Sequence, residues 1–187
     1  MSSFGNLNDI QNRTPEAAAE GDRFYTPTEL ARRLVATVPF TAATESILDP
    51  CAGADAFFNQ FPPSIDGLAP VAHHRCEITQ GSDFFKFTQP VSWIVSNPPF
   101  SQLTRWLEHT IHLATEGFAY IMPLYAINEN RLRLANDHGF EIVDIILFKN
   151  PVSWNLGFQM AFVIFEKDGD PACSLLNPPT TRQATLF

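Results

Sequence analysis

Positive charge is scarce in this chain. Across 187 residues, 12 Lys and Arg face 20 Asp and Glu, a net charge of −8. Nucleic acid is gripped largely through its phosphates, so this balance excludes a protein held on such a polymer by bulk electrostatics. A nucleic-acid partner needs a local cationic patch or a second subunit. Arg32-Arg33, Arg105, and Arg131 with Arg133 are the candidate patches. Cysteine is scarcer still. Cys51, Cys76 and Cys173 form an odd count without metal-ligand spacing. That excludes a disulfide framework and points to reduced thiols in a cytoplasmic setting. His73-His74 beside Cys76 reads as strand residues facing alternate sides, because no second ligand cluster follows, and no metal is expected. No stretch approaches the roughly 18 apolar residues of a membrane span. Met1 to Asn12 lacks the basic start and apolar middle of a signal peptide.

What is present is a globular composition, 45% hydrophobic and 12% aromatic, with 17 phenylalanines. The length suits one domain with a sizeable core. Residues 1–22 are polar and Ala/Glu-rich and read as a mobile arm, residues 23–168 as the domain, and residues 169–187 as a Pro/Asn/Thr-rich tail.

The most informative stretch is Trp93-Ile94-Val95-Ser96-Asn97-Pro98-Pro99-Phe100. Its first half is a buried-strand pattern. The two prolines end the strand, since neither offers an N–H to a ladder, and each holds its predecessor extended. The result is a stiff ledge at the carboxyl end of a central strand, where open α/β sheets bind ligands. The Asn97 side-chain carbonyl and the Pro98 backbone carbonyl can both accept from one NH2 group. Two acceptors on one exocyclic amine localise its lone pair and make it a better nucleophile. Phe100 can stack on the flat ring carrying that amine. On these residues alone, an ordinary turn followed by a hydrophobic residue explains the stretch as well.

The rest of the chain changes that balance. Thr26-Pro27-Thr28-Glu29 reads as a helix start, with Thr26 and Glu29 as a capping box and Pro27 at the first helical position. The helix is expected to run to about Val38, with Leu30, Leu34, Val35 and Val38 on one face. Ser46 to Asp49 reads as a strand, and Pro50-Cys51-Ala52-Gly53-Ala54-Asp55 as a turn whose small residues let backbone N–H groups approach a ligand. Asp49 at the strand's end suits a ligand bearing an ammonium group. A short apolar helix is expected around Ala56 to Phe61, and a second strand over Val71 to Ile78. Glu77 at its tip is placed to accept from two ribose hydroxyls. Asp83 can accept from the amine of an adenine, with Phe84 or Ile78 packed on its face; as isolated residues, Asp83 reads as a turn residue and Phe84 as core. Further helices are expected from Leu103 to Ala114 and from Glu129 to Asn136, with Gly139 as a C-terminal stop. Strands are expected at Phe118–Met122, Phe140–Phe148 and Met160–Glu166. The alternation argues a largely parallel three-layer α/β sheet, and the last two strands, with no helical pattern between them, an antiparallel pair.

In this order the motifs resemble those of S-adenosylmethionine-dependent methyltransferases of the amino-methylating type. They are most similar to the adenine-N6 DNA methyltransferases of restriction–modification and phage systems. Tyr25-Thr26-Pro27 resembles the family's N-terminal cofactor segment and Ile47-Leu48-Asp49-Pro50-Cys51-Ala52-Gly53 its first-strand cofactor loop. Glu77 and Asp83-Phe84, with Ile78, resemble its ribose and adenine contacts, and Asn97-Pro98-Pro99-Phe100 its catalytic motif. The resemblance implies a class I, Rossmann-like methyltransferase fold with a mostly parallel seven-stranded sheet and an antiparallel terminal strand. It implies S-adenosylmethionine as cofactor and an exocyclic amine, foremost adenine N6 in DNA, as methyl acceptor. Trp154 and Arg105 are candidate substrate contacts, Trp154 as a second stacking ring or as core. The acceptor alternatives are adenine in RNA and a glutamine side chain of a protein. A non-catalytic methyltransferase-like subunit is the alternative of another class. Two departures stand out. Asp55 replaces the family's usual glycine, where a carboxylate can hinder the cofactor's methionine carboxylate. No target-recognition domain is expected after the last strand, so sequence specificity must be slight, come from loops, or be supplied by a protein partner.

Overall fold

The computed structural model describes residues 24–172. The arm expected over 1–22 lies outside them, as does the expected tail apart from 169–172. Six strands form one sheet: β1 (Ser46–Asp49), β2 (Ala72–Arg75), β3 (Val91–Ser96), β4 (Ala114–Pro123), β5 (Phe140–Leu147) and β6 (Met160–Lys167). Their order is β2-β1-β3-β4-β6-β5. β2, β1, β3 and β4 are parallel neighbours, whereas β6 is antiparallel to β4 and to β5. The last strand is therefore the antiparallel one, as expected, and it lies between β4 and β5 rather than at the edge.

Apolar residues on successive strand positions face opposite sides of the sheet, which produces two cores. Leu48, Ile94, Phe118 and Tyr120 pack on one face with α2 (Leu103–Leu113) and α3 (Glu129–Asn136). Ile47, Trp93, Val95, Ala119 and Ile121 pack on the other with α1 (Thr28–Val35). These strands are covered on both faces, which is why they read as continuous apolar runs. Gly117 in β4 has a packing reason, since a Cβ there would collide with the Trp93 ring. Among the described residues, no helix is long and apolar enough to cross a membrane.

Four expectations need correction. The sheet has six strands among the described residues rather than seven. Between β2 and β3 the chain forms no strand but makes two 3-10 turns, Ile78–Gln80 and Phe84–Lys86. Gly81 at φ 82° breaks any extended run there, and Phe84 is drawn into the core. β2 itself stops at Arg75 rather than continuing to Ile78, because the Glu77 side chain caps the first of these turns by accepting from Thr79 N. The expected helix over 56–61 shrinks to the 3-10 turn Phe58–Gln60, since positive φ at Gly53 and Asp55 delays its start and Pro62-Pro63 stops it. Lastly, α1 has Pro27 as its cap with no capping side chain, and it ends at Val35. Glu29 is drawn to Arg32 one turn on, and the Thr26 hydroxyl is taken by Asn97.

Candidate active site

The strand order reverses direction at β1, with β2 on one side and β3 on the other, so a crevice opens at the carboxyl ends of these three strands. It holds a cavity of about 360 Å³, within the range of roughly 300–1,000 Å³ for small-molecule sites. Tyr25, Thr26, Pro50, Cys51, Ala52, Gly53, Glu77, Ile78, Asp83, Phe84, Asn97, Pro99 and Arg105 line it. Five separate stretches of sequence thus converge on one cavity. Pro27, Asp49, Pro98, Phe100 and Trp154 do not line it, and each has another position.

One wall is the turn after β1. Gly53 has φ +53°, and a Cβ there would sit 3.3 Å from the Tyr25 ring, so both backbone and space call for glycine. Its N–H donates to Glu77 Oε2 at 2.7 Å. Glu77 Oε1 accepts from the N–H and hydroxyl of Thr79, at 3.0 and 2.6 Å. This buried carboxylate therefore ties the β1 turn to the end of β2. Asp55 adopts φ +60°, a region Asp tolerates better than most residues. Its carboxylate pairs with Arg75, which also bonds Gln80, and neither Asp55 nor Arg75 lines the cavity. The Asp55 carboxylate is thus engaged by Arg75 outside the lining of the cavity.

Asp49 sits behind that wall, 1% exposed. Its Oδ1 accepts from Ser96 Oγ at 2.7 Å and from Cys51 N at 3.2 Å, while Oδ2 has no partner among the described residues. Burial pushes its carboxyl up to about 7. Asp49 thus joins the ends of β1 and β3 and shapes the turn from behind.

The opposite wall carries apolar faces. Ile78, 64% exposed, stands at the mouth of the cavity. Asp83 Oδ1 is spent on the N–H of Phe85. Phe84 is buried and stacked on Trp106 with centroids 4.8 Å apart, so it shows the cavity an edge of the core. The Arg105 guanidinium lies 3.7 Å above the Phe85 ring. Phe85 and Trp106 both line the cavity and were missed from the sequence, their alternation with core positions giving no signal. Of the other candidate cations, Arg32 pairs with Glu29, Arg133 with Glu129, and Arg131 bonds the Ala126 carbonyl.

The ledge after β3 completes the site. The Asn97 Nδ2 group donates to the Phe24 carbonyl at 2.7 Å and to Thr26 Oγ1 at 3.2 Å. Asn97 Oδ1 is buried with no partner among the described residues. The amide orientation is settled by its surroundings, because turning it over would set oxygen against the Phe24 carbonyl oxygen. Pro98 is buried behind Asn97. Phe100 stacks on Phe24, with centroids 5.4 Å apart and planes 10° from parallel, so one of its faces is already taken. Trp154 is 4% exposed and donates from Nε1 to the Tyr25 carbonyl at 2.8 Å. It is therefore packed behind the Phe24–Thr26 segment and does not face the cavity.

A parallel sheet with one antiparallel strand, layered between helices and opening at the β1 switch point, is the class I methyltransferase fold, and the solved structures most similar to this one share it. A modification subunit assigned to a type I restriction enzyme of Vibrio vulnificus YJ016 superposes with a TM-score of 0.55 at 16% identity, covering 88% of this chain and 48% of that one. The 23S rRNA methyltransferase ErmE gives 0.53 at 12% identity, covering 81% and 72%. Magnesium protoporphyrin IX methyltransferase from Synechocystis PCC 6803, solved with bound SAM, gives 0.52 at 11%, covering 88% and 86%. This chain thus spans about half the length of the restriction-enzyme subunit. The model of the N-6 DNA methylase family matches residues 9–69, the segment that carries the Tyr25-Thr26-Pro27 and Asp49-to-Gly53 motifs. No curated protein matches the sequence significantly.

Proposed function

We propose that this chain transfers a methyl group from S-adenosylmethionine to an exocyclic amine, with adenine N6 in DNA the substrate it fits best. The observation that carries the reading is Asn97, which lines a cofactor-sized cavity and whose buried Oδ1 has no partner among the described residues. A buried acceptor left unpaired costs about 1–3 kcal/mol, and a bound amine donor offsets that cost. The cavity's residues also fit the cofactor. Glu77 would hold the ribose hydroxyls, Ile78, Asp83 and Phe84 the adenine, and Tyr25, Thr26 and the turn from Pro50 to Gly53 the methionine end, with Asp49 and Pro27 shaping these from behind. The cofactor supplies an electrophilic methyl group on a sulfonium.

On the protein side the work is positioning. Asn97 holds the amine through its side-chain carbonyl, which aims the amine's lone pair, and Pro98 and Pro99 stiffen the ledge. An amide is not a base at neutral pH, so Asn97 orients the amine without taking its proton; as the N–C bond replaced the S–C bond, a neutral thioether would leave and the amine's proton would pass to water. Phe100 offers a ring to an unstacked base, and the target nucleotide must leave its stack to reach the ledge. Arg105, exposed at the rim, would meet the substrate backbone. A cytoplasmic setting fits Cys51 and Cys76, which form no disulfide. The family match and the restriction-enzyme neighbour favour DNA, with a separate protein partner for target recognition. The neighbouring rRNA methyltransferase keeps RNA as the second reading.

The test incubates the protein with methyl-labelled S-adenosylmethionine and single-stranded DNA, duplex DNA, RNA or bulk protein, then identifies the labelled product by mass spectrometry. N6-methyldeoxyadenosine, formed fastest on single strands, is the expected product. Label confined to RNA or to glutamine would replace the substrate assignment. Cofactor binding without transfer to any of them would favour a non-catalytic subunit.

A further inference from the structure

The residue that faces the substrate amine does not hold its own orientation. Asn97 lies just past a strand end, and a carboxamide's last torsion is broad and roughly two-fold. Its direction comes from outside, through the Phe24 carbonyl and the Thr26 hydroxyl, which accept from Nδ2. Those two groups belong to a segment with no regular secondary structure ahead of α1. Something must keep that segment in place.

Trp154 meets this need. It ends the 3-10 turn Val152–Trp154 in the loop between β5 and β6 and is buried. Its indole N–H donates to the Tyr25 carbonyl, between the two residues that bind Asn97, across 129 positions of sequence. Its ring also leans on Phe24, at 6.1 Å and 57°, and on Phe148, at 6.2 Å and 79°. The loop is itself anchored to the sheet, because Asn150 donates to the Phe158 carbonyl at 2.6 Å and accepts from the Met160 N–H at 3.2 Å. A continuous set of contacts therefore runs from β6 through Asn150 and Trp154 to the Phe24–Thr26 strap, and from the strap to Asn97.

We infer that Trp154 and Thr26 are positioning residues for Asn97: Trp154 pins the strap, the strap engages the Asn97 NH2 group, and Asn97 Oδ1 is left as the oriented acceptor. This deepens the methyl-transfer reading and rests on it. It also assigns Trp154 a different task from stacking on the target base. Without the pin the strap lifts, the carboxamide rotates, and the acceptor is lost for part of the time.

Trp154→Phe keeps a buried aromatic ring but removes the N–H donor together with part of the indole's volume. Thr26→Val removes the acceptor at nearly constant volume, and Thr26→Ser restores it. Two readouts are used on the full chain. The first is hydrogen exchange of the Asn97 side-chain NH2 in the protein alone, its signals assigned by their loss in Asn97→Ala. The second is single-turnover methyl transfer to a single-stranded adenine-containing oligodeoxynucleotide, with S-adenosylmethionine affinity measured separately. The expected result is exchange about tenfold faster and transfer about tenfold slower in Trp154→Phe and Thr26→Val, the scale of a modest misplacement. Transfer is read at saturating S-adenosylmethionine, so a loss of cofactor affinity through Tyr25 and Thr26 stays out of the rate, and Thr26→Ser should recover most of the loss. Combined with Asn97→Ala, the Trp154→Phe change should slow transfer no further, because it acts through Asn97. Parent-like exchange and transfer in Trp154→Phe, or an undiminished slowing on top of Asn97→Ala, would overturn the inference. If the parent transfers no methyl the methyl-transfer reading fails, and if Asn97→Ala transfers as fast as the parent the Asn97 assignment fails; in both cases the exchange data still decide whether the pin exists.

Discussion

Glu77 offers a perturbation whose size follows from the donors around it. Three of them converge on its two oxygens: the Gly53 N–H at 2.7 Å, the Thr79 N–H at 3.0 Å and the Thr79 hydroxyl at 2.6 Å. The residue is 8% exposed, so water does little to replace them. Glu77→Gln preserves the shape but leaves one acceptor oxygen. The new NH2 must then face either the Gly53 N–H or the Thr79 N–H, donor against donor. Losing one hydrogen bond to a buried charged acceptor is worth about 1.5–3 kcal/mol. In a domain of this size a loss near 2 kcal/mol lowers the melting temperature by roughly 4–8 °C. The cofactor should suffer too, since the ribose hydroxyls lose a charged acceptor and the Gly53 turn loses its tether. A loss of about 1.4–3 kcal/mol raises the dissociation constant roughly 10- to 100-fold. Calorimetric titration with S-adenosylmethionine, alongside a thermal melt, measures both effects. A folded variant that binds the cofactor as the parent does would refute the ribose assignment. One that melts with the parent would refute the three-donor account.

Asp49→Asn tests the buried carboxyl. Its folded pKa, about 7, lies above the ordinary 3.8, so the native state keeps a proton that the unfolded chain releases. Stability from this group is therefore full below the ordinary value and is lost as pH rises toward 7, by up to about 1.4 kcal/mol per unit. Urea melts between pH 4 and 8 should show that decline in the parent and a flatter curve in Asp49→Asn; parallel curves would contradict it. For the Asp55–Arg75 pair, Asp55→Gly should leave S-adenosylmethionine affinity within about twofold, because a pair this exposed is worth only about 0–1 kcal/mol and its carboxylate already points away. Arg75→Ala should weaken binding by freeing that carboxylate, and the double variant should restore it. An increase in affinity on Asp55→Gly alone would show that the carboxylate does obstruct the site.

The parts of this fold visible in the sequence are those set by local pattern. β1 and α3 fall at the expected residues, and the Asn97-Pro98-Pro99 stop marks the end of β3, because proline and apolar runs act through adjacent residues. The β5–β6 antiparallel pair was also legible, since a helical period between the two strands is missing. What the sequence hid depends on long-range competition. Thr26 has the chemistry of a helix cap, but Asn97, 71 positions away, takes its hydroxyl. Asp55 is paired with Arg75 on the neighbouring strand, a counter-charge that the local sequence does not reveal. Trp154 looked equally fit for stacking or for core, and only the 129-position hydrogen bond to Tyr25 separates the two.

The central claim is that Asn97 Oδ1 accepts from the substrate amine during methyl transfer. The most direct measurement is single-turnover transfer from S-adenosylmethionine to an adenine-containing single strand by the parent and by Asn97→Ala, with cofactor affinity determined separately for each. Removing one positioned hydrogen bond from the reacting group should lower the transfer rate by on the order of 10²-fold or more. Cofactor affinity should hardly change, because Asn97 is assigned to the amine. An Asn97→Ala variant that transfers methyl at the parent rate would contradict the account.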